Sequence, residues 1–421
     1  MTSTDSTSDR VDAFVLGGVR TPFARYGGSL SHLRTDDLLG MTMRGACERI
    51  GVPVEQVEDI IAGCVNVAHE AMGDVARWAA LSAGFPDSVA GATINRFCGS
   101  SVSATVGISH AIMAGDLELG IACGVESMSR SGWAMTKGDA PFAPRGPVLM
   151  LDTMWAGAGG PPNPNLLARN AYIAMIETAQ NVADRYELTR TEIDAFALRS
   201  HRRAAAARDS GRLAKEIMPI TIPATKTTAA RQFEHDEFIR DDTTAERLAA
   251  LPVQSGTKQM TAGNSSPLTD GASAVLIASG RKATELGVEP LARVVSSAVY
   301  ALDPQIMGVA PAWAIPLALR RAGLTPEQVG VWEIHEAFAA QALGVLRELS
   351  AQLDGFSVPD DALTPNGGAV ATGHPFGASG TRYVLTLATE LRERNVRYGV
   401  TGVCIGSGQG IALVLENPHA S

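Results

Sequence analysis

The chain of 421 residues lacks the marks of an extracellular or nucleic-acid-binding protein. Its five cysteines (Cys47, Cys64, Cys98, Cys123 and Cys404) are scattered, odd in number and free of CxxC spacing. That excludes a disulfide framework and fits reduced thiols in a cytoplasmic setting. There is no long basic run and the formal net charge is −9, which argues against nucleic-acid binding by phosphate neutralisation. The N-terminal MTSTDSTSDR is polar and has no apolar core of a secretory signal. The stretch 97–115 carries no charged residue, but its Ser and Gly content and His110 make a buried helix the expected reading rather than a membrane span.

Phosphate and metal motifs are missing too. The stretch NGGAVATGHPFGASG, 366–380, places five glycines around His374, yet no lysine follows as a GxxxxGK[ST] loop requires. The glycines of GSGQG, 406–410, lead into a strand near the C-terminus, where a dinucleotide fingerprint does not belong. Cysteines and histidines are too widely spaced for a zinc site. Glu333 and Glu336 would lie on different faces of their element, which gives no paired-carboxylate chemistry.

What the sequence does contain is a layered α/β pattern. Hydrophobic residues make up 45% of the chain, enough for a large core. Helix-spaced segments alternate with short apolar runs such as DIIAG, which favours helices packed on sheets. GVPVEQV at 51–57 and GLTPEQV at 323–329 match at four of seven positions. Each follows a helix ending in glycine and precedes an apolar strand. TDGASAVLIAS (269–279) and GSGQGIALVLE (406–416) extend the parallel, so two similar α/β halves are expected. The first half spans 10–130 and is completed by 255–285, and the second spans 286–421. Between them, 131–254 reads as an insertion that could cover a site. It holds a helix opened by the capping pair Thr189 and Glu192 and stopped at Gly211.

Four residues could carry chemistry. Cys98 ends a β-like run just before an uncharged helix, and unpaired amides at a helix N-terminus favour a thiolate. Cys404 has the same layout before a glycine-dense turn. His374, on its glycine turn, could accept a thiol proton near neutral pH. His335 ends a strand where the other copy has Gly63. For each, ordinary core packing is the alternative reading.

Taken together, RTPFARYGG, INRFCGSS, CGVESMS, MIETAQNVA, TAGNSSPLTDGAS, HEAFAAQ, NGGAVATGHPFGASGTR and CIGSGQG resemble the thiolase family of acetyl-CoA acyltransferases over nearly the whole chain. The resemblance implies an α/β fold of two duplicated halves in five αβαβα layers with an inserted loop domain. It implies Cys98 as the nucleophile that takes up the acyl group, His374 as its base and Cys404 as the second acid/base. The amides of Cys98 and Gly406 would hold the thioester oxygen of the acylated enzyme, and His374 with His335 would polarise the other thioester carbonyl. Coenzyme A would be a co-substrate, with no bound cofactor and no metal. Met175 would line the substrate pocket, Ser266, Ala337 and Phe338 the pantetheine tunnel, and Arg240 the adenine and phosphate end. Arg202, Arg203, Arg208, Arg212 and Lys215 are further candidates for the anionic end. HEAFAAQ is similar to thiolase subunits of fatty-acid β-oxidation, whereas many family members have asparagine at the position of His335. Ala174 and Ile176 stand where short-chain biosynthetic members have His and Gly. The implied reaction is reversible cleavage of 3-ketoacyl-CoA to acetyl-CoA and a shortened acyl-CoA. Acetoacetyl-CoA formation and a silent CoA-binding subunit are the alternatives. A homodimer or homotetramer is implied, with a hydratase/dehydrogenase partner as an option.

Overall fold

The computed structural model describes residues 11–135, 147, 150–154, 162–224, 226 and 229–420. The first half supplies β1 (Ala13–Arg20), α1 (Thr35–Ile50), β2 (Asp59–Gly63), α2 (Val75–Ser82), β3 (Ala90–Ile94), α3 (Ser100–Ala114) and β4 (Leu119–Ser127). Then come α4 (Met175–Arg185) and α5 (Arg190–Asp209), followed by β5 (Thr269–Ser279). The second half supplies β6 (Ala292–Ala301), α6 (Pro311–Ala322), β7 (Val329–Ile334), α7 (Ala339–Gln352), α8 (Ser379–Glu393), β8 (Tyr398–Ile405) and β9 (Gln409–Glu416).

The strands run in the order β7-β8-β9-β6-β1-β5-β4-β2-β3. Outward from the centre, β1-β5-β4-β2 and β6-β9-β8-β7 are the same path in mirror order. In both, the outer pair (β2 with β4, β7 with β8) is parallel and the two inner pairings are antiparallel. The strands of the two halves are joined by a ladder of two residue pairs, Phe14 with Arg293 and Val15 with Ala292. The sequence repeat falls at matching places. Gly51 and Gly323 end α1 and α6 with positive φ (81° and 68°), which glycine adopts without a Cβ clash. A single 3₁₀ turn then leads into β2 or β7.

Burial patterns set the layers. Strands β4 and β5 are buried along their whole length, as strands covered on both faces must be. On the outer side of the first half, Leu38, Leu39 and Met43 of α1 pack with Ile60 and Leu276. On the outer side of the second, Ile315 of α6 and Val345 of α7 pack with Trp332 and Val400. Between the sheets, Val102 and Ile108 of α3 and Val384 and Leu387 of α8 share one core with Val275, Val403 and Ile405. The result is five layers, helix-sheet-helix-sheet-helix. The uncharged stretch noted above is the central α3. Its buried hydroxyls bond backward, Thr105 to the Ser101 carbonyl at 3.0 Å and Ser109 to the Thr105 carbonyl at 2.7 Å, so no polar group is stranded there.

β4 and β5 pair along nine residues even though 131–254 lies between them in sequence. That segment is tied to the body by buried ion pairs. Arg20 makes a two-pronged bond to Asp236 (2.7 and 2.9 Å), and Arg212 reaches Glu216 and Glu390. In α5, Thr189 and Glu192 form the expected capping box, and Gly211 follows its end with φ of 77°.

Candidate active site

β3 stops at Ile94 and α3 starts at Ser100, which leaves a five-residue turn to present Cys98. The turn is held by Ser100, whose hydroxyl accepts from the Arg96 N–H and donates to the Phe97 carbonyl. Phe97 takes a left-handed φ of 45°. Of the five cysteines, Cys98 alone has part of its surface open. Its sulfur faces the backbone N–H groups of Gly406 and of Cys98 itself. Those amides favour the thiolate, but burial outweighs them and pushes the thiol up to about 12. Burial thus works against the lowering expected from the helix terminus. Cys404, the second-last residue of β8, is fully buried, and burial followed by the neighbouring Cys98 pushes its thiol far up.

His374 stands on the turn before α8. Its N–H donates to Thr269 Oγ1 at 2.9 Å, and its Nδ1 lies 2.7 Å from Ser379 Oγ. The Ser379 hydroxyl gives its only proton to the Pro375 carbonyl at 2.9 Å, so Nδ1 carries the hydrogen and donates to Ser379. Nε2 is left as a lone pair, buried and without a partner. Burial, then the charge of Arg382, lowers this imidazole to about 3, which keeps it neutral and able to accept a proton.

The glycines of this turn allow it to rest directly on the first half. A Cβ on Gly377 would sit 2.4 Å from the Val125 carbonyl oxygen and 2.6 Å from that of Gly63. A Cβ on Gly380 would sit 2.3 Å from the Val102 nitrogen. The first turns of α3 and α8 thus abut, and the segments carrying Cys98 and His374 enter the same space. Buried Glu126 fixes the seat, accepting from the N–H groups of Val65, Asn66 and Gly377.

His335 follows β7, with its N–H bonded to the Gly402 carbonyl at 2.9 Å. Its ring centroid is 4.2 Å from that of His374, and the planes are tilted by 58°. Nδ1 lies 2.8 Å from the Tyr383 hydroxyl, and Nε2 is buried without a partner. Burial, then His374 and Arg382, holds this imidazole well below its ordinary range. Gly406 borders the open side: a Cβ there would lie 3.6 Å from the Phe97 ring and 3.8 Å from the Met175 sulfur. Phe97 and Met175 are 42% and 39% exposed, so an apolar mouth opens beside the Cys98 sulfur.

The more distant candidates divide. Ser266 donates its N–H to the Ala337 carbonyl at 2.9 Å, and Ser265 bridges to Phe338, so the three residues lie together. Ser266 is partly exposed, whereas Ala337 and Phe338 are buried. Arg240 is exposed, and after burial its charge is what holds His201 down to about 4. Most of the basic candidates on the insertion carry ion pairs. Arg203 pairs with Asp360, Arg208 with Asp209 and Asp241, Arg212 with Glu216 and Glu390, and Lys215 with Glu393. Arg202 is exposed and has no such ion pair among the described residues. Ser379 and Tyr383, which hold the two imidazoles, and Thr269, which accepts from the His374 backbone N–H, were not singled out from sequence. A hydroxyl five residues after His374 was the available signal. Among the described residues no group of three or more His, Cys, Asp or Glu side chains is arranged to hold a metal ion.

A thiol facing two backbone amides, with a second buried thiol near it, and a separate pair of buried imidazoles with free Nε2 atoms are the kinds of group that acyl transfer uses. Known proteins agree. The family model described as Thiolase, N-terminal domain, matches residues 13–281, and that described as Thiolase, C-terminal domain, matches 288–417. The chain is 44% identical over 409 residues to a 3-oxoadipyl-CoA/3-oxo-5,6-dehydrosuberyl-CoA thiolase of Escherichia coli K12, covering 96% of this chain and 99% of that one. It is 43% identical over 408 residues to a beta-ketoadipyl-CoA thiolase of Pseudomonas aeruginosa, with the same coverages. A structure of human mitochondrial 3-ketoacyl-CoA thiolase in complex with CoA superposes with a TM-score of 0.86 at 34% identity, covering 97% of this chain and 98% of that chain. Fold, family models and relatives coincide, and the chain belongs to the thiolase family.

Proposed function

We propose that the protein cleaves 3-ketoacyl-CoA with coenzyme A, through an acyl group carried on Cys98. What supports this reading is that the two halves abut where α3 and α8 begin, with the Cys98 thiol at the Gly406 amide on one side and two paired imidazoles whose Nε2 atoms have no partner on the other. As the Cys98 sulfur attacks the 3-keto carbon, its proton passes to His374 Nε2. The bond between C2 and C3 breaks, and the acetyl-CoA enolate oxygen is held by His335 and the protonated His374. Cys404 donates its proton to the enolate carbon and acetyl-CoA leaves. The Cys404 thiolate then takes the proton of incoming CoA, whose sulfur attacks the acyl group while the Cys98 and Gly406 amides hold its oxygen. Acyl-CoA departs and His374 returns its proton to Cys98. Coenzyme A is thus a co-substrate; Ser266, Ala337, Phe338 and Arg240 are its proposed contacts, and Met175 borders the acyl group.

The E. coli and P. aeruginosa relatives favour a dicarboxylic substrate of the 3-oxoadipyl-CoA type over straight-chain β-oxidation intermediates. The outer strand β3 leaves one edge of the sheet open, with Trp78 half exposed on the neighbouring α2, which supports association with a second copy. The test is CoA-dependent acetyl-CoA release by the purified protein from 3-oxoadipyl-CoA, acetoacetyl-CoA and longer 3-ketoacyl-CoAs. Highest kcat/KM on 3-oxoadipyl-CoA is expected, with no acyl adduct and no turnover after Cys98→Ala. Turnover retained by that variant would overturn the mechanism, and CoA binding without any turnover would favour a silent subunit.

A further inference from the structure

We infer that Tyr383 is a positioning residue that fixes the tautomer of His335, so that His335 Nε2 permanently presents a hydrogen to the site. This deepens the thiolase reading and rests on it. The Tyr383 hydroxyl lies 2.8 Å from His335 Nδ1, with the rings edge to face at 80°. The Glu336 backbone N–H points at the same hydroxyl oxygen. A phenol has one proton to give, and among the described residues His335 Nδ1 is the acceptor placed to take it. Tyr383 therefore donates to Nδ1, and the hydrogen of the neutral imidazole sits on Nε2. The opposite assignment would strand the phenol proton in a buried place and aim two imidazole lone pairs, from His335 and His374, into one space.

The ring has no freedom to do otherwise. Tyr383 is 1% exposed, and the Arg382 guanidinium covers its face at 4.2 Å. Burial also pushes the phenol up from its ordinary pKa, so it keeps its proton. Tyr383 and Ser379 are four residues apart on α8, on one face of the helix. One turn of that helix thus sets the two imidazoles in opposite senses: Ser379 makes His374 an acceptor, and Tyr383 makes His335 a donor. In the proposed reaction the His335 donor is needed where the acetyl-CoA enolate forms. It is not needed where an acyl group passes between Cys98 and CoA at the Gly406 amide.

The test compares two rates in Tyr383→Phe: cleavage of the 3-ketoacyl-CoA, and exchange of labelled CoA into acetyl-CoA, which passes only through the acyl-enzyme. Losing one oxyanion donor costs about 10²–10³ in rate, and losing its orienter is expected to cost about tenfold or more in kcat for cleavage. Exchange should stay within about threefold of the parent. In a His335→Asn background, whose amide presents N–H without a tautomer choice, adding Tyr383→Phe should change cleavage less than about twofold. Equal loss of both rates, or no loss of cleavage, would overturn the inference. Absence of both rates in the parent protein would instead overturn the thiolase reading.

Discussion

The imidazoles of His335 and His374 lie 4.2 Å apart, centroid to centroid, and neither faces a carboxylate bonded to its ring. Burial, with nothing to offset it, holds both neutral, His374 down to about 3. In the unfolded chain each takes a proton as pH falls through about 6.5, while the folded chain keeps His374 neutral until near 3 and His335 neutral well below its ordinary range. The stability they contribute is therefore complete above 6.5 and is lost as pH falls below it. Glu126 and Glu333, raised to about 7 and about 8 chiefly by burial, act in the opposite direction, losing their contribution as pH rises from about 4.5 through those values. Between pH 6.5 and 4.5, His374→Asn should lose about 2 kcal/mol less stability than the parent in denaturant titrations. Identical losses would show that His374 protonates freely in the fold.

Cys98 should behave as a sleeping nucleophile. With its thiol pushed up to about 12, alkylation by iodoacetamide should accelerate about tenfold per pH unit from 7 to 10, with no plateau. Mass spectrometry of the modified peptide gives the rate. A plateau near neutrality would mean a resting thiolate paired with imidazolium.

Ser379→Ala removes the group that accepts the His374 Nδ1 hydrogen. The ring can then turn or switch tautomer, so kcat should fall about tenfold with KM little changed, because the base is less often ready. Steady-state kinetics decide it; an unaltered kcat would mean that the turn alone aligns the ring.

Gly377→Ala puts a methyl 2.4 Å and 2.6 Å from two backbone carbonyl oxygens that cannot swing away. A loss of about 3 kcal/mol or more and near-complete loss of turnover are expected, read by denaturation and activity together. Parent-like values would show that the two halves yield at this contact.

Arg240→Ala should raise KM for CoA about tenfold and leave kcat unchanged, since the guanidinium is exposed and touches none of the reacting groups. An unchanged KM, measured with CoA as the varied substrate, would move the anionic end elsewhere, with Arg202 next to be tested.

Much of this architecture could be read from sequence because its signals are local. The glycine that ends α1 or α6, the strand that follows, and the cysteine before a helix each depend on a few adjacent residues. Cys98, His374, Cys404 and Gly406 sit in such short motifs. The pull of the amides on Cys98 is local and legible, whereas the opposing burial comes from packing by distant segments. The ion pairs of the insertion's arginines are hidden for the same reason. Asp360 and Glu390 lie 157 and 178 positions from Arg203 and Arg212, and nothing in either neighbourhood announces the other. Tyr383 reads as an ordinary core residue of an amphipathic helix until the fold sets His335 beside it.

Gly63 and His335 occupy equivalent strand ends in the two copies, and they have opposite uses. The missing side chain at Gly63 is the hollow into which the Gly377 carbonyl settles, 2.8 Å from where a Cβ would be. One copy became the bearing and the other the tool resting on it. Any sliding of the halves past each other changes the spacing of nucleophile and base by the same amount, so the active site also gauges their alignment. A chain severed between the halves would have to rebuild that contact before it could turn over at all.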